Sequence, residues 1–522
     1  MANGIARTRV RVKGTGIYAG DLRPTYDAAS QGRTRRHWRA PEIGPNAALQ
    51  FELTQLRNRS RDQVRQNVYA SRASDALVSN IVGTGIKPLP KVEDQDLNRA
   101  LRALWLDFVP EADAAGELDL YGLQAQIVRS WFEGGECFVR RRLRRPSDGL
   151  AVPMQLQVLE SEHLPAEKNE IAESGNVIRH GIEFDAIGRR VAYHLYRTHP
   201  GDRDGFELLA GRNDTPGLTT RVPAEEVLHI YLPTRPGQKR GEPWLTQALL
   251  ALRDLDEWNS AELQRQKAGA MFLGHIKKVA EEGVQVGDQD ADATDDAESD
   301  AIEVQTLEPL TITELDEGED VTWSDPPEVG GNYEVFLRQQ LRSIAQSVGV
   351  LYEQLTGDYA QINDRTYRAA HNEVRRQVEM LQQQIVIPQL CRPVWRWWFG
   401  SARASGALPL PSGVTPREAA RVGWVPHAFR HIHPLQDAQT ERTRIRNGTR
   451  SRHAVALESG EDVEDIDAQI AADNKRADGM GLVFDTDPRK VSNAGLTQAR
   501  PADNELPETS PGDGGQENEQ QQ

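Results

Sequence analysis

A chain of 522 residues is long enough for several domains of ordinary size. Its 62 Lys and Arg stand against 78 Asp and Glu, a formal charge of −16, which is the opposite of a simple DNA-coating protein. Two cysteines, Cys137 and Cys391, leave no disulfide framework and no cysteine metal cluster, and they suit a reducing compartment.

The opening MANGIARTRVRVKG is basic but has no apolar core of a secretory leader, and no run of about 18 apolar residues predicts a membrane span. Residues 1–60 are Arg-rich and broken by Gly and Pro, with Arg33, Arg35, Arg36 and Arg39 around His37 and Trp38. They read as an extended arm, either a solvated terminus or a contact to a neighbouring subunit or nucleic acid. The first firm helix is expected from Arg61 to Val82, with Val64, Val68, Leu77, Val78 and Ile81 at helical spacing and Gly83 as the stop. Gly83-Thr84-Gly85 reads as a turn, since no Lys-Ser/Thr pair follows to make a phosphate loop.

Between 97 and 145 the pattern gives a helix carrying Leu101, Trp105 and Phe108. A second follows with Tyr121, Ile127, Trp131 and Phe132, then a strand at Cys137–Val139 after Gly134-Gly135. Further strands are expected at 156–159, 177–184, 191–196 and 227–232, with Asp185–Arg189 as a hairpin loop. Residues 61–235 are thus a mixed α+β domain. A long helix then opens at Pro243-Trp244, proline being well placed where a helix start has no use for its missing N–H. Leu245, Leu249, Leu252, Leu255 and Trp258 form its stripe, and a reach to Met271 makes it on the order of 40 Å long.

From Glu281 to Glu334 the chain carries 19 Asp or Glu, and no Lys or Arg lies between Lys278 and Arg338. Without this block the remainder is near +3. Its poorest part in apolar residues, 284–300, reads as a loop, and 302–323 as two short strands. The Asp spacing does not match a calcium loop, so a solvated or electrostatic surface is the expectation. A second amphipathic helix runs from Asn332, a good cap, to Val348, with Phe336, Leu337, Leu341 and Ile344 on its stripe. A loop over Leu351–Asn363 leads to a helix from Asp364 to Ile387, which Pro388 bends or ends. Trp395, Trp397, Trp398 and Phe399 read as core or subunit packing. Residues 435–480 look helical and polar, and 498–522 read as disordered.

No phosphate-binding loop of the G-x-x-x-x-G-K-[ST] type and no G-x-S-x-G elbow occurs. His431-Ile432-His433 lacks a third ligand at a suitable spacing, and His194, His199 and His229 read as ordinary hydrogen-bonded histidines. The sequence therefore points to no catalytic residues, no metal site and no cofactor.

Two stretches carry a recognisable pattern. One runs from His229-Ile230-Tyr231-Leu232-Pro233 through Lys239-Arg240-Gly241-Glu242-Pro243-Trp244-Leu245; the other is Leu351-Tyr352-Glu353-Gln354-Leu355-Thr356-Gly357-Asp358-Tyr359. Both resemble the lambda-type phage portal family, over roughly residues 20–480. Asn67, Val82–Gly85 and the Trp424 to Pro434 segment fit as well. Two departures are visible: Asn363–Arg368 stands where the family has a Ser-Ser-x-Arg turn, and His433 where an Asp often precedes the proline.

The resemblance implies an α+β fold, a portal-type ring subunit with an α+β wing, long stem helices, a small α/β clip and a helical crown. On this sequence it implies a wing at 61–244, stem helices at 245–271 and 332–349, and an acidic clip at 272–331. A tunnel loop at 350–363, a long helix with a wing return at 364–434, a crown at 435–485 and a tail at 486–522 complete the assignment. It implies a homododecameric ring at one capsid vertex of the virion, assembled in the host cytoplasm, without enzymatic activity. Its partners would be double-stranded DNA bound without sequence specificity, the terminase large subunit, head-completion or adaptor proteins, and the major capsid protein and scaffold, with no membrane. Asp358, Tyr359, Gln361 and Asn363 become candidates for facing DNA. Asp288, Asp290, Asp292, Asp295, Asp296, Glu298 and Asp300 become candidates for the channel mouth or a docking surface. Leu249, Leu252, Leu255, Trp258, Phe336, Leu337, Leu341 and Ile344 would pack the stem. The competing readings are a nucleic-acid-processing enzyme, and a minor capsid or scaffold protein without a channel.

Overall fold

Helices open the described chain where the sequence suggested an arm to residue 60: α1 (Pro45–Gln50) and α2 (Leu53–Gln66). The computed structural model describes residues 41–202, 219–270, 274–278, 319–323, 333–427, 434–458, 463–484 and 489. The inward face of these two helices is Leu49, Leu53, Arg57 and Ser60, all buried. Two of the four are polar, which hides the amphipathic signal. The single helix expected from Arg61 to Val82 is two, because Asn67 is extended and starts α3 (Val68–Ile81). Its Oδ1 accepts from the backbone N–H groups of Tyr69 at 2.9 Å and Ala70 at 3.1 Å, an N-cap inside an apolar pattern that looked continuous.

Gly83 and Gly85 both take positive φ in the turn after α3, and a Cβ on Gly85 would strike the Tyr121 ring at 2.3 Å. The chain continues through β1 (Lys87–Pro90), α4 (Gln95–Phe108) and α5 (Leu120–Gly134) into β2 (Glu136–Leu143), with the left-handed Gly135 at the joint.

β2 sits between β3 (Met154–Glu160) and β9 (Val227–Tyr231) in a three-stranded antiparallel sheet. Its alternation divides two cores. Cys137 and Val139 join the large helical core, while Phe138 faces the other way into a smaller one. That smaller core is roofed by a five-stranded antiparallel sheet of β4 (Glu170–Ile171), β5 (Val177–Arg179), β6 (Ile182–Phe184), β7 (Arg190–Tyr196) and β8 (Thr219–Pro223). The strand expected over 177–184 is folded in two at His180-Gly181, both with positive φ (52° and 78°). This matches a two-residue mirror-type hairpin turn, usually signalled by Asn-Gly or Asp-Gly.

After β9 a short 3-10 turn over Trp244–Gln247 precedes α6 (Leu249–Ala270), so the long helix begins later than Pro243-Trp244 suggested. β10 (Gly274–Lys278) pairs antiparallel with β11 (Glu319–Trp323), and α7 (Tyr333–Val348) follows. Of the range 302–323 expected to hold two strands, β11 lies at the end and pairs with β10, while residues 302–318 lie outside the described residues. The expected loop at 351–363 contains a turn of helix, α8 (Tyr352–Thr356), closed by the left-handed Gly357.

α9 (Asp364–Leu381) is not ended by Pro388. It passes into a π-helical segment, Gln382–Cys391, and directly into α10 (Arg392–Ala404). The proline's missing N–H falls where the helix is already widened from its regular spacing. The segment is buried through Ile385, Val386, Ile387 and Leu390. α10 supplies Trp395 and Trp398, whose rings lie 4.7 Å apart and 5.1 and 5.0 Å from Trp105 of α4. α11 (Pro416–Ala419) leads to β12 (Val422–Val425), which returns to pair with β1. The last described elements are the polar helices α12 (Pro434–Arg446), α13 (Arg452–Glu458) and α14 (Val463–Met480).

Candidate functional site

Two long helices, α6 and α7, lie against each other beside the main core. Leu249, Leu252 and Leu255 of α6 and Leu341, Ile344 and Val348 of α7 are buried, and Leu337 packs half-buried on the same core. Further along, where the helices leave the core, aromatic contacts replace aliphatic ones. Trp258 stacks on Tyr333 at 5.0 Å with a 16° interplanar angle and meets Phe336 at 4.7 Å. The Tyr333 hydroxyl donates to Asn259 Oδ1 at 3.3 Å. Of the eight side chains expected to pack this pair, Phe336 alone is exposed, at 43 %, touching Trp258 with part of its ring.

The outer surfaces of both helices remain apolar in places, with Leu250 (71 %) and Leu263 (52 %) on α6 and Val335 (65 %) on α7 exposed. β10 and β11 flank residues 279–318, which hold most of the acidic run, and are joined from Gly274↔Trp323 to Lys278↔Glu319. Asp288, Asp290, Asp292, Asp295, Asp296, Glu298 and Asp300 lie outside the described residues, as do His431, His433, Asn332, residues 1–40 and almost all of the 486–522 tail.

The segment after α7 is held by its own polar side chains. Arg338 on α7 donates to Gln361 Oε1 at 2.8 Å. Asp358 accepts from the Tyr352 hydroxyl at 3.3 Å and the Ala360 N–H at 3.0 Å. Asn363 caps α9 through the Thr366 N–H at 2.9 Å. Of the four candidate residues here, three shape the loop, whereas Tyr359 is 50 % exposed and meets the Tyr367 ring in an edge contact at 6.0 Å.

A buried ionic cluster that sequence reasoning missed fixes the start of this half of the molecule. Glu136, wholly buried at the head of β2, accepts from Arg57 of α2, from Arg240 Nε at 2.7 Å, from His229 Nε2 at 2.8 Å and from the Gly241 N–H at 2.9 Å. Arg240 spends its remaining N–H groups on the carbonyls of His180, Ser161 and Leu164. The tautomer of His229 follows from its partners. A carboxylate can only accept and the Arg190 guanidinium, 3.3 Å from Nδ1, can only donate, so the ring is neutral with its proton on Nε2. Burial pushes the His229 pKa down to about 4, while the two guanidiniums and the histidine bond hold Glu136 well below the usual carboxylate range in spite of burial.

Every donor around Glu136 is committed, so the carboxylate has no free lone pair for a proton transfer. Its chemistry is a knot tying α2, β2, β9 and the 238–241 loop. That loop lies in the sequence stretch carrying the family pattern. The signal was present as a buried-strand Glu next to Gly135 and as Arg240 between glycine-rich neighbours, but only the fold brings residues 57, 136, 229 and 240 together.

Glu160, Glu162 and His199 also converge, within 4.8 Å of one another. The cation among them is Arg61, 2.6 Å from Glu160 and 2.9 Å from Glu162. Both thiols are buried, and burial raises their pKa values, to about 12 for Cys137. They behave as small apolar groups, not nucleophiles.

The sequence profile described as "Phage portal protein, lambda family" matches residues 31–382. The "Probable portal protein" of Halomonas phage phiHAP-1 is 26 % identical over 477 residues, covering 88 % of each chain. "Portal protein B" of Escherichia phage lambda is 22 % identical over 489 residues, covering 86 % of this chain and 89 % of its own. Among solved structures, a chain from the virion of a native gene transfer agent particle aligns over 78 % of this chain and 93 % of its own, at 14 % identity and a TM-score of 0.44.

Proposed function

The chain belongs to the lambda family of phage portal proteins, and from that premise we propose that it is the subunit of a ring-shaped channel through which DNA enters and leaves the capsid. The observation that carries this reading is the extent of the family match. It runs from residue 31 to residue 382, through the α+β region, both long helices and the acidic segment between them. In this reading the ring is a dodecamer, non-enzymatic, placed at one vertex of the virion and assembled in the host cytoplasm. The terminase large subunit docks on it during packaging, head-completion proteins follow, and the major capsid protein and scaffold surround it.

The parts have assigned duties. Residues 61–244 form the wing, α6 and α7 the stem, 272–331 the clip, 350–363 the tunnel loop, 364–434 the wing return and 435–485 the crown. The exposed Leu250, Leu263 and Val335 give the stem apolar surface for a neighbouring subunit, which supports a packed ring. Tyr359 is the loop residue available to touch DNA, since Asp358, Gln361 and Asn363 are engaged within the chain. A ring must not grip a duplex that carries one charge per about 1.7 Å, and an acidic or mixed wall lets it slide. The 19 acids of 281–334 then either line the channel mouth or form a docking surface for a basic partner.

The test is electron microscopy of the purified protein in negative stain, with native mass on the same sample. Closed rings of about a dozen subunits with a central hole are expected. A compact dimer or trimer without a hole overturns the reading in favour of an enzyme or a minor capsid protein.

A further inference from the structure

The acids of α12 point inward and its arginines point outward. Asp437, Glu441 and Ile445, one turn apart, are the partly buried positions of this helix. Both acids are engaged there: Asp437 with Arg368 of α9 at 3.8 Å, and Glu441 with Arg444 at 3.1 Å and Arg450 at 2.7 Å. The opposite stripe is Leu435, Gln439, Arg442 and Arg446, all exposed. Arg442 and Arg446 stand four residues apart, hence side by side on the helix surface. Neither makes an ion pair or side-chain hydrogen bond among the described residues.

The turn that follows, Asn447-Gly448-Thr449-Arg450-Ser451, brings Arg452 and His453 to the surface of the next helix, both exposed. Among the described residues Arg452 pairs only with Asp467, at 2.6 Å, with both side chains more than half exposed. From Arg442 to Ala456 there is no acidic residue at all, against four arginines in addition to Arg442 and one histidine. In a chain of net charge −16 this is a segregated positive surface.

Helix-dipole complementation accounts for a base or two in the last turn of α12 and is met by Arg444 and Arg446. It does not require Arg442, a turn earlier, or Arg452, on a different helix. Exposed guanidiniums beside amide and hydroxyl groups, as Arg442, Arg446 and the solvent-facing Arg452–Asp467 pair present here, are the side chains that take phosphate oxygens without reading bases.

We propose that the outward face of α12 and the α12–α13 turn, through Arg442, Arg446 and Arg452, is a phosphate-binding surface for duplex DNA. The inference rests on the portal reading and adds to it a second DNA contact, separate from the tunnel loop and opposite to it in purpose. The loop offers an aromatic and committed polar groups, suited to a passing duplex. The arginine face offers unscreened charge, suited to DNA at rest. Its contacts are electrostatic, so binding should be sequence-independent and fall steeply with salt.

The experiment measures binding of a random-sequence duplex to the full-length assembled protein by fluorescence anisotropy, across a salt series. The R442Q/R446Q protein is compared with wild type and with R99Q/R417Q, a pair of exposed arginines elsewhere that gives the same change in charge. Ring formation of each is checked by microscopy. The slope of log affinity against log salt should fall by about 2 for each engaged face in R442Q/R446Q, with a loss of affinity of about tenfold or more at low salt. R99Q/R417Q should bind like wild type. Equal loss in both variants, or none in R442Q/R446Q rings, overturns the proposal and leaves the portal reading standing. R442Q/R446Q that no longer forms rings while wild type does would make this face a contact between copies, and likewise overturns it. Failure of wild type itself to form rings would count against the portal reading on which the proposal rests.

Discussion

Glu136 shows how much of this fold hangs on residues with no motif. It is buried among two guanidiniums, a histidine and a backbone N–H, so removing its charge leaves Arg57 and Arg240 facing each other without a counter-ion. Glu136→Gln should destabilise the protein by about 3–5 kcal/mol, the range for breaking a buried ion pair from one side, read by denaturant unfolding. The same cluster sets an acid limit. The folded His229 resists protonation until about pH 4, whereas the unfolded ring takes a proton near 6.5. The unfolded state therefore binds more protons throughout that window, and stability rises with pH across it. Glu136, with its folded pKa depressed, adds a contribution that is present above the ordinary carboxylate range and lost as pH falls below it. Wild type should lose stability steadily as pH drops from about 6.5 to 4, and His229→Gln, which keeps a donor to Glu136 but does not titrate, should show a flatter profile there. Asn67 offers a second discriminating change. Its Oδ1 caps α3 while its Nδ2 donates to Asp256 of α6 at 2.8 Å. Asn67→Asp keeps the cap but sets a carboxylate against Asp256, so it should be less stable than Asn67→Ala in low salt and recover toward it as salt is raised. The cap alone accounts for about 1 kcal/mol in the alanine variant.

At the scale of elements, the long periodic pieces were legible and the joints were not. The stripes of α4, α5, α6 and α7 and the strands β2, β7 and β9 stood in the apolar spacing. The breaks did not, because each depends on one residue whose role is set by its surroundings: Asn67 capping in mid-pattern, His180 taking a positive φ, Pro388 carried inside a widened helix. The pairing of β1 with β12, 336 residues apart in the register Pro88↔Trp424, has no local signal either. For the site, the α6–α7 stripe was readable because burial against a core follows periodicity. The buried Glu136 cluster was not, since its four residues are spread over 183 positions and meet only in the fold. The α6–α7 pair also predicts a graded stability. Leu341→Ala removes a side chain that is 2 % exposed in the main core and should cost about 2–5 kcal/mol in global unfolding. Trp258→Ala strips the stack on Tyr333 and Phe336 at the rim of that core, where Trp258 is only partly buried. It should leave the global transition nearly in place while amide exchange in the first turns of α7 quickens. Equal global losses from both substitutions would mean the two helix halves unfold as one unit with the core.

For the whole molecule the distribution of charge matters more than its sum. Nineteen acids crowd between Glu281 and Glu334, the remainder is near +3, and the outward face of α12 is positive. A ring multiplies each of these surfaces by its copy number, so a modest charge per chain becomes a field that a duplex or a basic partner meets all at once. Replacing Asp288, Asp290, Asp292, Asp295, Asp296, Glu298 and Asp300 with Asn or Gln shifts the chain from −16 to −9 without touching the described core. Such a protein should fold and form rings as wild type does. If the acids meet a basic partner, docking of the packaging motor should weaken most at low salt, where charge attraction has the longest reach. If they face the channel instead, docking should hold while the duplex is retained longer in the ring, because repulsion of its phosphates has been removed. Pull-down of the motor and single-round packaging, each measured at low and physiological ionic strength, separate these two roles. Unchanged docking together with unchanged packaging would assign the acids to neither, and leave solubility as their effect.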